Sequence, residues 1–169
     1  MALRANGTSG NYVARTASLP NWSAATFVGQ VKIVTDLNVQ TSLGQIGDSS
    51  GRFIAWYSSA DGTSIKLFDD WNNAGNNDTV VHNLTAGKWY GTAIRLTGAQ
   101  CTAKLYILDP ATGTVYSTSS LLNSGWTGAL SNFRPGDYTY GSPANAAYGG
   151  WKIYAASLTD DEVGWAMRP

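Results

Sequence analysis

Apolar and polar residues alternate with a period of two along most of the chain, and few folds accept that pattern. In "ATFVGQVKIV" (25–34), Phe27, Gly29, Val31 and Ile33 share one face, while Gln30 and Lys32 lie on the other. "AKLYILD" (103–109) sets Leu105 and Ile107 against Tyr106 and Leu108. "KWYGTAIRLTG" (88–98) sets Tyr90, Thr92, Ile94 and Leu96 against Trp89, Ala93 and Arg95. "TSIKLFDD" (63–70) and "GWKIYAAS" (150–157) repeat the pattern, with Ile65 and Leu67 against Lys66, and Trp151, Ile153 and Ala155 against Lys152 and Tyr154. Successive side chains of a strand point to opposite faces, so each segment reads as a strand resting on a core. "RFIAWYSS" (52–59) is apolar on both faces, which marks a central strand or one covered on both sides.

Turn residues separate these segments. "SSADGTS" around Asp61 and Gly62 reads as a hairpin, and so does "DPATGT" (109–114), where Pro110 and Gly113 supply the turn angles. Short strands at this spacing, with no long helical pattern between them, pack as two antiparallel sheets face to face. Composition agrees: only 13% of residues are charged, while there are 19 Gly, 7 Trp and 9 Tyr. With 169 residues, no internal repeat and no linker, residues 1–169 read as one domain.

Several function classes drop out. Net charge is zero and no run of Lys or Arg occurs, so the electrostatic footprint of a nucleic-acid or acidic-membrane binder is missing. The single Cys101 has no partner for an internal disulfide and no neighbouring base to activate it. The opening residues lack the apolar core of roughly 7–15 residues that a signal peptide carries. No stretch approaches the ~20 apolar residues of a membrane span. The expectation is a chain made in a cytoplasm and not exported by the usual route.

One helix start is legible near the end. In "SLTDDEVGWAMRP" (157–169), Thr159 precedes Glu162 by three residues, the spacing of a capping box. Leu158 and Val163 stand where a hydrophobic staple belongs, and Asp160 and Asp161 suit the positive end of the helix dipole. A short helical turn is expected after the last strand.

The same region carries a family resemblance. "GGWKIYAASLTDDEV" (149–163) resembles the closing motif of the laminin-G-like branch of the concanavalin A-like lectin/glucanase superfamily, through Gly149, Gly150, Ile153, Tyr154, Leu158, Thr159, Glu162 and Val163. "LTAGKWYGTAIRL" (84–96) and "AKLYILDPATGTV" (103–115) are similar to the strand and hairpin that precede it there. The opening "MALRANGTSGNYVARTASLPNWSAATFVGQVKI" (1–33) resembles the first strand pair of such domains in phage virion proteins. The resemblance implies an all-β, two-sheet antiparallel jelly-roll sandwich with a short C-terminal helical turn. It implies less about function, because this fold carries enzymes, lectins and structural modules.

The glucanases of this superfamily use two Glu with an Asp between them on one strand, and retaining hydrolysis needs two carboxyls about 5 Å apart. Here Glu162 is the only Glu, and the capping box accounts for it. Asp69 and Asp70 are adjacent, so on a strand they point to opposite faces. His82 is the only His, and no nucleophile-elbow pattern accompanies it. No catalytic residue, metal ligand set or cofactor is therefore expected.

"DDWNNAGNND" (69–78) is the densest polar stretch. An EF-hand is rejected: Asp70, Asn72 and Gly75 match, but Ala74 and Val81 stand where oxygen ligands are needed; a calcium loop of another kind stays open, since laminin-G-like relatives use Asp and Asn there. Trp71 beside Asp70, Asn72 and Asn73 has the composition of a sugar platform with hydrogen-bonding neighbours. The competing reading, favoured because loop composition alone discriminates poorly, is a solvated strand connection with Trp71 packed onto the sheet. A second segment, "FRPGDYTYGSPANAAYGG" (133–150), is too long for a tight hairpin, and its Tyr138, Tyr140 and Tyr148 are candidates for a protein interface. Seven Trp exceed what one small core needs, so at least one is expected at a contact surface.

The function expected from these readings is a non-enzymatic phage virion protein, either a capsid decoration or a tail-associated lectin-like module. Its partners would be capsid or tail proteins and copies of itself in a homo-oligomer, with a cell-surface glycan as a further ligand. The alternative is a carbohydrate-binding lectin module of a larger secreted protein.

Overall fold

The computed structural model describes residues 3–6, 15–16, 24–34, 41–48, 53–59, 63–69, 76–81, 84–97, 102–121, 130–135 and 145–169. Twelve strands and one helix occur in these residues: β1 (Leu3–Asn6), β2 (Arg15–Thr16), β3 (Ala24–Ile33), β4 (Thr41–Asp48), β5 (Phe53–Ser58), β6 (Ser64–Asp69), β7 (Asn76–Val81), β8 (Trp89–Thr97), β9 (Thr102–Asp109), β10 (Thr114–Leu121), β11 (Leu130–Arg134), β12 (Asn145–Tyr154) and α1 (Asp160–Ala166). They form two six-stranded antiparallel sheets, ordered β1-β12-β3-β8-β9-β10 and β2-β11-β4-β5-β6-β7. This is the expected jelly-roll sandwich. β1 and β2 belong to different sheets, β1 beside β12 and β2 beside β11.

The period-two reading translates directly into layers. Phe27, Val31 and Ile33 of β3, Tyr90, Ile94 and Leu96 of β8, and Leu105 and Ile107 of β9 face inward from the first sheet. Leu43, Ile46, Ile54, Trp56, Ile65, Leu67 and Phe133 meet them from the second. An aromatic cluster bridges the layers: Phe133 lies 5.4 Å from Phe27, 6.4 Å from Trp56 and 4.9 Å from Trp151 between ring centroids. Such contacts add to the burial of the rings themselves. Two glycines make room for the indoles, since a Cβ on Gly44 would lie 2.6 Å from Cε2 of Trp56, and Gly29 stands in the same relation to Trp151.

β5 is buried along its whole length, as its doubly apolar sequence predicts. Ile54 and Trp56 enter the core between the sheets, while Phe53, Ala55 and Tyr57 join Phe68 in a separate cluster on the other face. The hairpin at 109–114 also follows its sequence: Gly113 adopts φ 70° and donates its N–H to the carbonyl of Asp109, whose carboxylate accepts from Ala111 N–H. The segment at 133–150 is less of a loop than its composition implies. β11 runs to Arg134 and β12 starts at Asn145, so most of its ends are strand. Similarly, Asp69 closes β6 and Asn76, Asn77 and Asp78 begin β7, paired as a hairpin.

α1 packs on the outer face of the first sheet. Val163 and Met167 bury against Val28, Ala93, Tyr106 and Leu108. The capping box is present: Thr159 Oγ1 accepts from Glu162 N–H, and Glu162 Oε2 accepts from Thr159 N–H at 2.7 Å. Leu158 packs partly against the same cluster, which completes the hydrophobic staple.

Candidate functional site

Among the described residues, the outer face of the first sheet holds two surface features, one along α1 and one at its C-terminal end. What fixes the helix there comes first. Asp160 accepts hydrogen bonds from Lys104 Nζ at 2.6 Å, Arg95 Nη1 at 2.7 Å and Tyr106 Oη at 2.8 Å. These partners stand on β8 and β9, so the helix start is tied to the middle of the sheet. Hydrogen bonds from Lys104 and then Tyr106 hold the Asp160 carboxyl down to about 2. Burial, and after it the bond to Asp160, pushes the Tyr106 phenol above its usual range. Thr26 clamps the chain between β12 and α1: its hydroxyl donates to Ala156 O at 2.7 Å and accepts from Leu158 N–H at 3.1 Å. At the far end a Cβ on Gly91 would lie 2.8 Å from Met167 Cβ, so glycine there lets the helix end seat on β8.

With one side of α1 fixed, Trp165 is carried outward and is 77% exposed, against 0% for Val163 and 1% for Met167. The Arg168 guanidinium lies 5.7 Å from the centre of its ring. Beside it an open groove of about 450 Å³ runs between Tyr154, Leu158 and Ala166, with Asp161 and Glu162 on its rim. Glu162 is held below the usual carboxylate range by the backbone N–H of Thr159 and then by its hydroxyl.

At the C-terminal end of α1 lies a smaller cleft of about 200 Å³, lined by Gln30, Trp89, Tyr90, Gly91, Leu108, Pro110, Met167 and Pro169. Gly87, at φ 81°, donates its N–H to Ile33 O at 2.7 Å and sets the register in which Trp89 faces Lys32. The Trp89 ring reaches across β3 towards Gly149 of β12, where a Cβ would sit 3.7 Å from its Cη2. Lys32 Nζ lies 5.4 Å from the ring centre.

The sites singled out in the sequence fare differently. Asp70, Trp71, Asn72, Asn73, Tyr138 and Tyr140 lie outside the described residues, as do His82 and Cys101. Tyr148 is corrected: it is not an interface residue but part of the core, 2% exposed, with its hydroxyl donating to Ser42 O of the opposite sheet at 3.3 Å. β12 alternates through it, and the inward phase falls on Ala146 and Tyr148. Burial pushes its phenol well above the usual range. The surplus of Trp does reach the surface, but through Trp165, which the sequence reading did not single out. The signal was present, because Val163 and Met167 are four apart and share the buried face, which puts Trp165 across the helix. Among the described residues no group of three His, Cys, Asp or Glu is placed to hold a metal ion. Nor is any helix among them long and apolar enough to cross a membrane.

No protein-family model matches the sequence, and no curated protein matches it. Solved structures do match in shape. A native heptameric SAP-like pentraxin from Limulus polyphemus superposes with a TM-score of 0.71 at 14% identity, over 99% of this chain and 81% of that one. Tailspike protein 2 from Escherichia coli O157:H7 bacteriophage CAB120 gives 0.67 at 14% identity over 89% of this chain, which spans only 22% of the tailspike. The CBM40 of the Ruminococcus gnavus IT-sialidase, bound to α2,3-sialyllactose, gives 0.59 at 14% identity over 87% of this chain and 84% of that one. At such identity the likeness establishes a lectin-like jelly-roll fold.

Proposed function

We propose that this chain is a non-enzymatic lectin-like module of a phage virion, a capsid decoration or tail-associated protein that docks through the face carrying α1. The observation that carries the reading is Trp165. A large indole that is 77% exposed has most of its apolar surface still to bury, and Trp is enriched where protein surfaces meet. The adjoining groove adds Tyr154, Leu158 and Ala166 as an apolar floor with acidic residues at the rim, the arrangement of an interface core and its border. Two further points support it. The opening segment resembles the first strand pair of laminin-G-like domains in phage virion proteins, and a tailspike shares the fold. Among the described residues, two carboxylates near the groove serve structure: Asp160 ties α1 to the sheet and Glu162 closes the capping box.

The experiment is cosedimentation of the tagged chain with particles produced without its gene. The unaltered chain is expected to sediment with the particles, and Trp165→Ala to remain in the supernatant while folding normally. Equal sedimentation of both, or of neither, removes the docking reading. The second reading, a glycan-binding module of a larger secreted protein, draws on the cleft beside Trp89.

A further inference from the structure

We propose that, before it docks, the chain pairs with a second copy of itself through α1 about a two-fold axis; the inference rests on the docking reading and names what covers that face in the free chain. Asp161, Trp165 and Arg168 follow at i, i+4 and i+7, all exposed, while Val163 and Met167 are buried against the sheet. Arg168 stands just past the helix, but Met167 keeps helical angles, with φ −75° and ψ −14°, so the stripe continues through it. The stripe is acidic at one end, basic at the other and aromatic between. Its two charges are also uncommitted. Among the described residues Asp161 has no cation partner and Arg168 has no carboxylate partner, and Arg168 lies over the Trp165 ring instead. The cations that do find a carboxylate there, Arg95 and Lys104, both go to Asp160.

A stripe with opposite charges at its ends is complementary to itself when turned end for end. In a symmetric pair one patch meets the same patch of its partner, so each contact occurs twice. Antiparallel packing of two α1 helices sets Asp161 of each copy against Arg168 of the other. Parallel packing would set like charges together, which costs affinity. The antiparallel axis passes beside Trp165, which lies between the two charges, and brings each indole to the groove of the other copy. That groove, about 450 Å³, offers Tyr154, Leu158 and Ala166 as apolar walls. An exposed indole and an apolar groove on one patch are a knob and its hole. The apolar surface also extends past the helix. Trp165 and Val115 are the large hydrophobics left exposed among the described residues, and a Cβ on Gly164 would lie 3.6 Å from Cγ2 of Val115. Both therefore gather on the face that pairing would cover.

Sedimentation velocity of the intact chain in buffer, over a wide range of concentration and without particles, is the test. The chain should pass from monomer to dimer as concentration rises, and added salt should weaken the dimer. Asp161→Arg and Arg168→Asp should each weaken pairing about tenfold or more, because each sets like charges together. Mixing the two variants should restore a dimer, because every cross-copy contact is then Arg to Asp. Circular dichroism checks that α1 stays folded; if Asp161→Arg unravels the helix start, Asp161→Asn serves instead and should weaken pairing by a smaller factor. A monomer at every concentration, a dimer that either reversal leaves intact, or a mixture that stays monomeric would each overturn the proposal. Particle cosedimentation is a separate readout. A chain that pairs in this way but does not sediment with particles removes the docking reading and leaves the pairing, whereas a monomeric chain that sediments removes the pairing alone.

Discussion

Gly29 and Trp151 share one position in the core: a Cβ on Gly29 would lie 2.5 Å from Cε2 and Cε3 of the indole. The ring occupies that space because it must reach Trp56, at 6.0 Å, and Phe133. Gly29→Ala should therefore destabilise the fold by about 1–3 kcal/mol, the usual cost of overpacking. Urea denaturation measures it, and a cycle with Trp151→Leu should show the two costs to be non-additive. Additive costs would mean that the ring moves aside freely.

The Asp160 anchor makes a pH prediction. Its folded carboxyl is held at about 2, below its ordinary value of 3.8, so its contribution is complete above about pH 4 and is lost as pH falls towards 2. The side chain is 57% exposed, which limits the gain to about 1 kcal/mol after screening. Asp160→Asn should be less stable than the parent at pH 7, and the two should converge near pH 2. Parallel curves from pH 7 to 2 would contradict the assignment.

The helix cap makes a smaller test of the same anchor. Thr159→Ala removes the hydroxyl that accepts from Glu162 N–H and should cost about 0.5–2 kcal/mol. Thermal melts of the two chains give the difference directly. No change would mean that tertiary contacts alone hold α1 in place.

Much of the fold is legible in the sequence, and the legible part is local. Leu105 and Ile107 against Tyr106 and Leu108 gives the two faces of β9, because strand periodicity is a property of adjacent residues. The Thr159–Glu162 box spans three residues and is equally direct. What escaped depends on pairing between distant segments. Nothing near Asp160 announces Arg95 and Lys104, which the β8–β9 register brings to it. Lys32 and Trp89 likewise meet only through the β3–β8 pairing. Tyr148 was misread because its glycine and tyrosine neighbours resemble a loop, while its strand phase is set by the partner β3.

A catalytic assay bears on the non-enzymatic reading. The purified chain should release no reducing sugar or unsaturated product from β-glucan, alginate or host-envelope polysaccharide. Turnover that disappears on replacing a single Asp would reverse that reading.

Quantitative mass spectrometry of phage particles purified from cells that carry the gene for the chain tests the central claim most directly. The account predicts that the chain is present in many copies per particle, at a fixed ratio to a capsid or tail protein. Its absence from particles that are otherwise complete would contradict the account.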